Sequence, residues 1–480
     1  MQSEAFADPF TLPLPNGIDA DTGEPLSSLE PRSIRGVVVD EQRQDGEAGQ
    51  QAQIKLGSEQ ATFAVVPDVD INDVSSAGWG VVFAAGADPR IQDALQPLLL
   101  HRQAQAGKLY RAFTNLAGYR PAESTSQWLG RHGTRLDVVE PLDGVPFYLM
   151  LVGSPDDIPL EFQYLLDIHW GVGRLYFPTL EEYRQYADSV VAYETAGRID
   201  RGRRVTVFAT AHEGDRATQS FAAQVATPLT SASERGPIGA RQRFELDTLI
   251  GDPATRGALL SRLQGRDGVR PSLLVTGSHG IVFKSGDPRQ VTRQGAALCQ
   301  DWPGIGPALP EHVVAAEDLG PDAHVHGLIH FSFACYSAGW PELDTFSNDP
   351  AARKRVAPRS EFARFPQRLL AHPNGGALAV IGHVDRAWTY SFQSSRGPQA
   401  QSFRDVITRL LRGERIGAAT DTFNVRWAGL SSELSELIRE MQFGMQVSES
   451  QLASYWIARN DARNYVVLGD PAVRLRVEDL

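Results

Sequence analysis

The chain has 480 residues, too many for one small core, and 42% of them are apolar, an ordinary share for a protein that buries a sizeable interior. Its 46 basic and 58 acidic residues leave a balance of −12, and no long basic stripe occurs. Phosphate binding needs a positive footprint, so a nucleic-acid protein is excluded, and the acidity is read as solubility.

Two cysteines, Cys299 and Cys335, are too few for a disulfide framework, so a reducing compartment is expected. The opening MQSEAFADPF has no basic start followed by an apolar core, and no apolar run reaches the roughly 18 to 20 residues that span a bilayer. The expectation is a cytoplasmic protein without a membrane partner.

Residues 1–60 are rich in Gly, Pro, Asp, Glu and Gln, with one short apolar run at 37–39. They read as an extended or poorly structured lead-in, draped over the body. From 61 onward short apolar runs alternate with helical stretches. Runs at 62–66, 79–84, 136–139, 147–152 and 172–176 predict strands, with helices over 91–105 and 180–195. After the charged turn at 198–204, strands are expected at 205–210, 243–248, 272–277, 328–334, 377–382 and 464–468. Helices are expected over 218–226, 253–264, 362–372, 401–412 and 432–459. Buried strands alternating with helices give an α/β class: two adjoining parallel-sheet subdomains, 61–197 and 198–480, with helices on both faces. The stretch 286–324 is too long and too rich in Gly and Pro for a plain connection and reads as substrate-facing.

Ligand sites of open parallel sheets form beyond the carboxyl ends of the strands. Two predicted ends carry reactive groups. SLLVTGSHG (272–280) stops at a Gly and presents His279 and Gly280; LIHFSFACYSAG (328–339) presents Cys335 after Ala334. Neighbouring strands would hold those ends about 5 Å apart. A thiolate attacks a carbonyl while an imidazole carries the proton and returns it to the leaving amine. Gly280 removes a side chain where substrate must approach, and its N–H is available to hold an oxyanion. Each residue alone is more ordinarily structural, a buried Cys as a small hydrophobe and a His as a hydrogen-bonded core group. Cys299, in a loop without such context, is read as structural. No residue is singled out to orient His279.

These stretches resemble the clan of cysteine peptidases that includes caspases and gingipains, in which one strand ends in His-Gly and the next in Ala-Cys. FYLMLVGSPDDIP (147–159) with GVGRL (171–175), GGALAVIGHVDRAW (375–388) and NYVVLGDPAVRL (464–475) look specifically gingipain-like and keep the order across roughly 61–480. The caspase pentapeptide is absent: Phe333 precedes Ala334, and Tyr336 and Ser337 follow Cys335. The resemblance implies a caspase-like second subdomain, a His279/Cys335 dyad cleaving peptide bonds in protein or peptide substrates, and no cofactor. It also implies a pocket near Trp388, with Asp385 or Asp167 to receive a basic substrate residue.

His324, His326 and His330 share one parity and would line one face of a strand, but no carboxylate completes a metal set and HExxH is absent. No G-x-S-x-G elbow, P-loop or dinucleotide glycine fingerprint occurs. The segment 344–360, with Arg353, Lys354 and Arg355, reads as a solvated basic loop, self-cleavage being its alternative use. The remaining rival is a caspase-like fold retained as a catalytically silent scaffold or interaction module.

Overall fold

The structure, a computed structural model, describes residues 13–27, 29, 37–38, 65–232, 235–347, 353–394 and 397–480. The strands, in chain order, are β1 (Gly17–Asp19), β2 (Trp79–Phe83), β3 (Tyr110–Phe113), β4 (Tyr148–Val152), β5 (Gly171–Leu175), β6 (Gly202–Ala209) and β7 (Glu245–Ile250). They continue with β8 (Pro271–Gly277), β9 (Gly280–Val282), β10 (Ala297–Leu298), β11 (Val313–Val314) and β12 (Ile329–Phe333). The last are the short pair β13 (Gly339–Trp340) and β14 (Glu361–Phe362), β15 (Ala379–His383), the short pair β16 (Gln393–Ser394) and β17 (Gly397–Pro398), and β18 (Tyr465–Gly469).

Among the described residues ten strands form one sheet in the order β3-β2-β4-β5-β18-β15-β12-β8-β6-β7. Every pairing is parallel except β15 with β18. The sheet therefore has two parallel halves that run in opposite directions and meet at that seam. Strands β2, β4, β5, β8, β12, β15 and β18 are buried along their whole length, which is why they read as continuous apolar runs. The fold class is α/β, as expected.

In the second half β6 comes first in the chain but lies between β7 and β8, so the connections diverge at the β6/β8 boundary. Right-handed crossovers then put the connecting helices on both faces, and the crevice at the carboxyl ends opens at that boundary.

Four sequence expectations need correction. The run 136–139 is no strand; Val139 makes a single bridge to Val65, because a turn at Pro141–Asp143 follows at once. Thr62, Phe63 and Ala64 of the neighbouring run lie outside the described residues. The helix expected over 432–459 is two, Asp421–Gln442 and Glu449–Arg463, broken where Gly444 turns left-handed (φ 83°) and restarted by the Ser448 cap. The helix of 91–105 is likewise divided, into Pro89–Ala94 and Gln96–Ala106. Strand β3 was not anticipated; as an edge strand it buries only Phe113 fully, leaves Tyr110 and Arg111 half-buried and Ala112 exposed, and lacks an apolar run.

The long connection 286–324 contributes β10 and β11 to a second sheet, β1-β9-β10-β11. Its other outer strand comes from the lead-in: β1 pairs in parallel with β9, Gly17 opposite Gly280 and Ile18 opposite Ile281. Val37 and Val38 are also buried, in a cluster with Phe346, Trp388 and Trp456.

Candidate active site

Strand β12 lies beside β8 in register, Phe333 opposite Gly277, and one further rung joins Ser278 N–H to the Phe333 carbonyl at 3.2 Å. His279 and Cys335 therefore emerge at matching positions, two residues past the paired ends. The chain turns sharply after Cys335: Tyr336 is left-handed (φ 56°), uncommon for a bulky residue, and its N–H donates to the Asp385 carbonyl at 2.8 Å. Gly280 meets this turn closely, since a Cβ on it would lie 1.8 Å from the Cys335 carbonyl oxygen. Only glycine permits that approach.

His279 is buried, and its Nε2 lies 2.5 Å from Asp215 Oδ2. Asp215 follows β6, so this pair bridges the β6/β8 crevice. The same carboxylate caps the helix Arg216–Phe221, accepting from Ala217 N–H at 3.1 Å and Thr218 Oγ1 at 2.7 Å. Burial works to raise the Asp215 carboxyl, but the His279 hydrogen bond and charge, with those from Thr218 and Ala217, outweigh it and hold the group down at about 2. An anionic partner at 2.5 Å holds a proton on Nε2 and orients the ring, while Nδ1 is buried with no hydrogen-bond partner among the described residues. Beside the pair, Trp302 of the 286–324 connection stands edge-on to both His279 and His212. Burial, then the neighbouring His279, lower His212 to about 4.

Cys335 is fully buried, and burial pushes its thiol up to about 12, against the Ala387 N–H that donates to Sγ at 3.2 Å. What covers it is the chain's own segment 14–18. The Asn16 carbonyl accepts from both Gly280 N–H (2.9 Å) and Cys335 N–H (3.1 Å). A Cβ on Gly17 would lie 2.9 Å from both Cβ and Sγ of Cys335. The Asn16–Gly17 peptide thus rests against the thiol with its oxygen held by two backbone donors.

The other sequence candidates are placed as follows. Trp388 is buried, its ring 5.2 Å from Phe346, and its backbone bridges Pro15. Asp385 is buried next to the turn after Cys335; its carboxylate accepts from Thr345 Oγ1 and from Arg386 N–H (2.7 Å). Burial and the nearby Asp344 raise it to about 6. Asp167 ends the helix Leu160–Asp167, in a small cavity with Val172, Ile381, Thr420 and Tyr465. Cys299 is buried and donates to the Ala297 carbonyl at 3.5 Å; burial raises its thiol. The three histidines do not share a strand: His324 precedes and His326 lies within the turn closed by Leu328 N–H to Val325 O, and of the three only His330 lies in β12, hydrogen-bonded to Thr276 at 2.9 Å. Among the described residues no group of three His, Cys, Asp or Glu side chains is placed to hold a metal ion. Residues 348–352 of the basic loop lie outside the described residues; Leu343 bridges Arg355 at its base, and Asp344 pairs with Arg386 at 2.7 Å.

Asp215 and Asn16 were not singled out in the sequence. Asp215 had one available signal, an aspartate at the helix start just past a buried strand. Asn16 had none, because its contacts run largely through the backbone.

No family model and no curated protein matches the sequence. Among solved structures it is similar to the Arg-specific cysteine proteinase gingipain R, at 13% identity over 84% of this chain and 79% of that one, with a TM-score of 0.48. It is also similar to a structure described as a protease (13% identity, 83% and 78% covered, TM-score 0.46). A third is the complex of pro- and mature domains of RgpB from Porphyromonas gingivalis (13%, 83% and 80%, 0.44). Likeness at this level assigns neither family nor activity, so function has to be argued from the site.

Proposed function

We propose that the chain is a cysteine endopeptidase. The observation that carries this reading is the convergence of the Gly280 and Cys335 N–H groups on one peptide carbonyl lying against the Cys335 thiol, beside an imidazole braced by a carboxylate. Each part has a role in acyl transfer. His279 Nδ1 takes the thiol proton as Sγ attacks the substrate carbonyl carbon. The two N–H groups receive the charge that develops on its oxygen, with no reorganisation needed at the moment of reaction. The imidazolium then gives its proton to the leaving amine, and water hydrolyses the thioester. Asp215 acts through His279 as a positioning residue, fixing tautomer and ring orientation.

Substrate in this reading is a protein or peptide, laid along 387–389 on one side of the thiol and along β9 on the other. Both cysteines are unpaired, which fits a reducing, cytoplasmic setting. No helix among the described residues is long and apolar enough to cross a membrane.

The test uses full-length Gly17→Val, in which the added side chain cannot fit against Cys335 and unseats the covering segment. A peptide library incubated with this protein is expected to be cut, and the activity is expected to disappear when Cys335→Ala or His279→Ala is added. Peptides left intact by folded Gly17→Val protein, or cut equally well by the Cys335→Ala form, would favour the silent scaffold and overturn the proposal.

A further inference from the structure

The segment over Cys335 is seated as a substrate would be, and it is held on both sides of the Asn16–Gly17 bond. Before that bond it runs antiparallel to 387–389. Leu14 N–H donates to Thr389 Oγ1 at 3.2 Å, Thr389 N–H to the Leu14 carbonyl at 3.0 Å, and Asn16 N–H to the Ala387 carbonyl at 2.7 Å. Beyond it, β1 adds to β9, and the chain folds back so that Leu26 N–H meets the Gly17 carbonyl at 2.9 Å. Asp21 secures this turn through Arg289 at 2.7 Å. Backbone pairing of this kind reads an extended peptide independently of its side chains.

One side chain is read individually. Asn16 is wholly buried, and its Nδ2 donates to the Ser278 carbonyl at 2.7 Å, one residue before His279. An aspartate there would set a carboxylate oxygen against that carbonyl, with no proton to share and no water to solvate it. A leucine would leave the Ser278 carbonyl without this donor. Sites built around a hydrogen-bond donor reject analogues that lack it strongly.

We propose, building on the peptidase reading, that segment 14–18 is an internal substrate: the enzyme cuts its own chain between Asn16 and Gly17, and its pocket selects asparagine. Cys335 Sγ bonds to the Asn16 carbonyl carbon as the thiol proton passes to His279. The C–N bond to Gly17 breaks as that proton is delivered to the Gly17 nitrogen. One water then cleaves the thioester, leaving an Asn16 carboxylate and the restored thiol. Until the cut, the segment fills the cleft and keeps the thiol buried, so the uncut chain is self-inhibited.

The experiment follows freshly purified full-length wild-type chain by intact mass and N-terminal sequencing, alongside Cys335→Ala, Asn16→Asp and Asn16→Leu. The wild type is expected to acquire a new N-terminus at Gly17 at a rate independent of protein concentration. The Cys335→Ala chain should stay whole, and both Asn16 variants should be slowed at least about 100-fold. In the Gly17→Val background, a Leu-Pro-Asn acyloxymethyl ketone should label Cys335 at least about 100-fold faster than Leu-Pro-Asp or Leu-Pro-Arg ketones. A wild type that stays intact, or a Cys335→Ala chain cut at the same bond, overturns the inference. If Gly17→Val reacts best with the Arg or Asp ketone, the peptidase reading stands and the asparagine pocket falls. If no ketone labels Cys335, both fall.

Discussion

Replacing Asp215 with asparagine separates its two duties. Asparagine caps a helix about as well as aspartate, so the Ala217 N–H bond is kept. The amide nitrogen, however, now faces His279 Nε2, which must accept rather than donate. That drives the ring proton onto Nδ1, the nitrogen required as base. A wrong tautomer in a comparable site lowers kcat by about 10⁴, and a loss of about 10³ to 10⁴ in kcat/KM is expected here. Stability changes less. The Asp215 carboxyl is held at about 2 against an ordinary 3.8. That depression contributes at most about 2.5 kcal/mol, present above about pH 4 and lost as pH falls toward 2. The assay is hydrolysis of the best library peptide in the Gly17→Val background, with thermal melts beside it. Asp215→Glu, which keeps the carboxylate, should recover part of the rate. An Asp215→Asn enzyme within tenfold of its parent would refute the role given to this residue.

Gly280→Ala places a Cβ 1.8 Å from the Cys335 carbonyl oxygen, so the turn must move; at least about 100-fold loss of hydrolysis is expected, with about 1 to 3 kcal/mol of destabilisation by urea unfolding. Trp388→Ala empties a wholly buried site against Phe346 and should cost about 3 to 5 kcal/mol in the same measurement. Asp385, raised to about 6 by burial and Asp344, holds its proton more tightly folded than unfolded, so its contribution to stability falls as pH rises from about 4 to 6. Asp385→Asn should flatten that decline by up to about 3 kcal/mol between pH 4 and 7, read from urea midpoints.

What the sequence disclosed and what it withheld follow from the kind of interaction involved. The strands ending at His279 and Cys335 were legible because burial on both faces demands unbroken apolar runs, and their in-register pairing put the two residues side by side. Gly280 was legible as a close-approach position. The two-part helix near the C-terminus was not, because Phe443, Gly444 and Met445 interrupt the pattern only briefly. Edge strand β3 lacked a pattern altogether, one of its sides facing solvent. The occupant of the cleft was hidden for a different reason. Segment 14–18 is held chiefly by backbone N–H and carbonyl groups, which every sequence possesses, and it comes from a stretch whose composition reads as an extended lead-in.

The most direct measurement is to identify the residue that a peptidyl acyloxymethyl ketone modifies in full-length Gly17→Val protein by peptide mapping. The account predicts one adduct, on Cys335, absent from the Cys335→Ala form and formed at least about 100-fold more slowly after His279→Ala. An adduct on Cys299, or a folded protein that takes up no label, would contradict it.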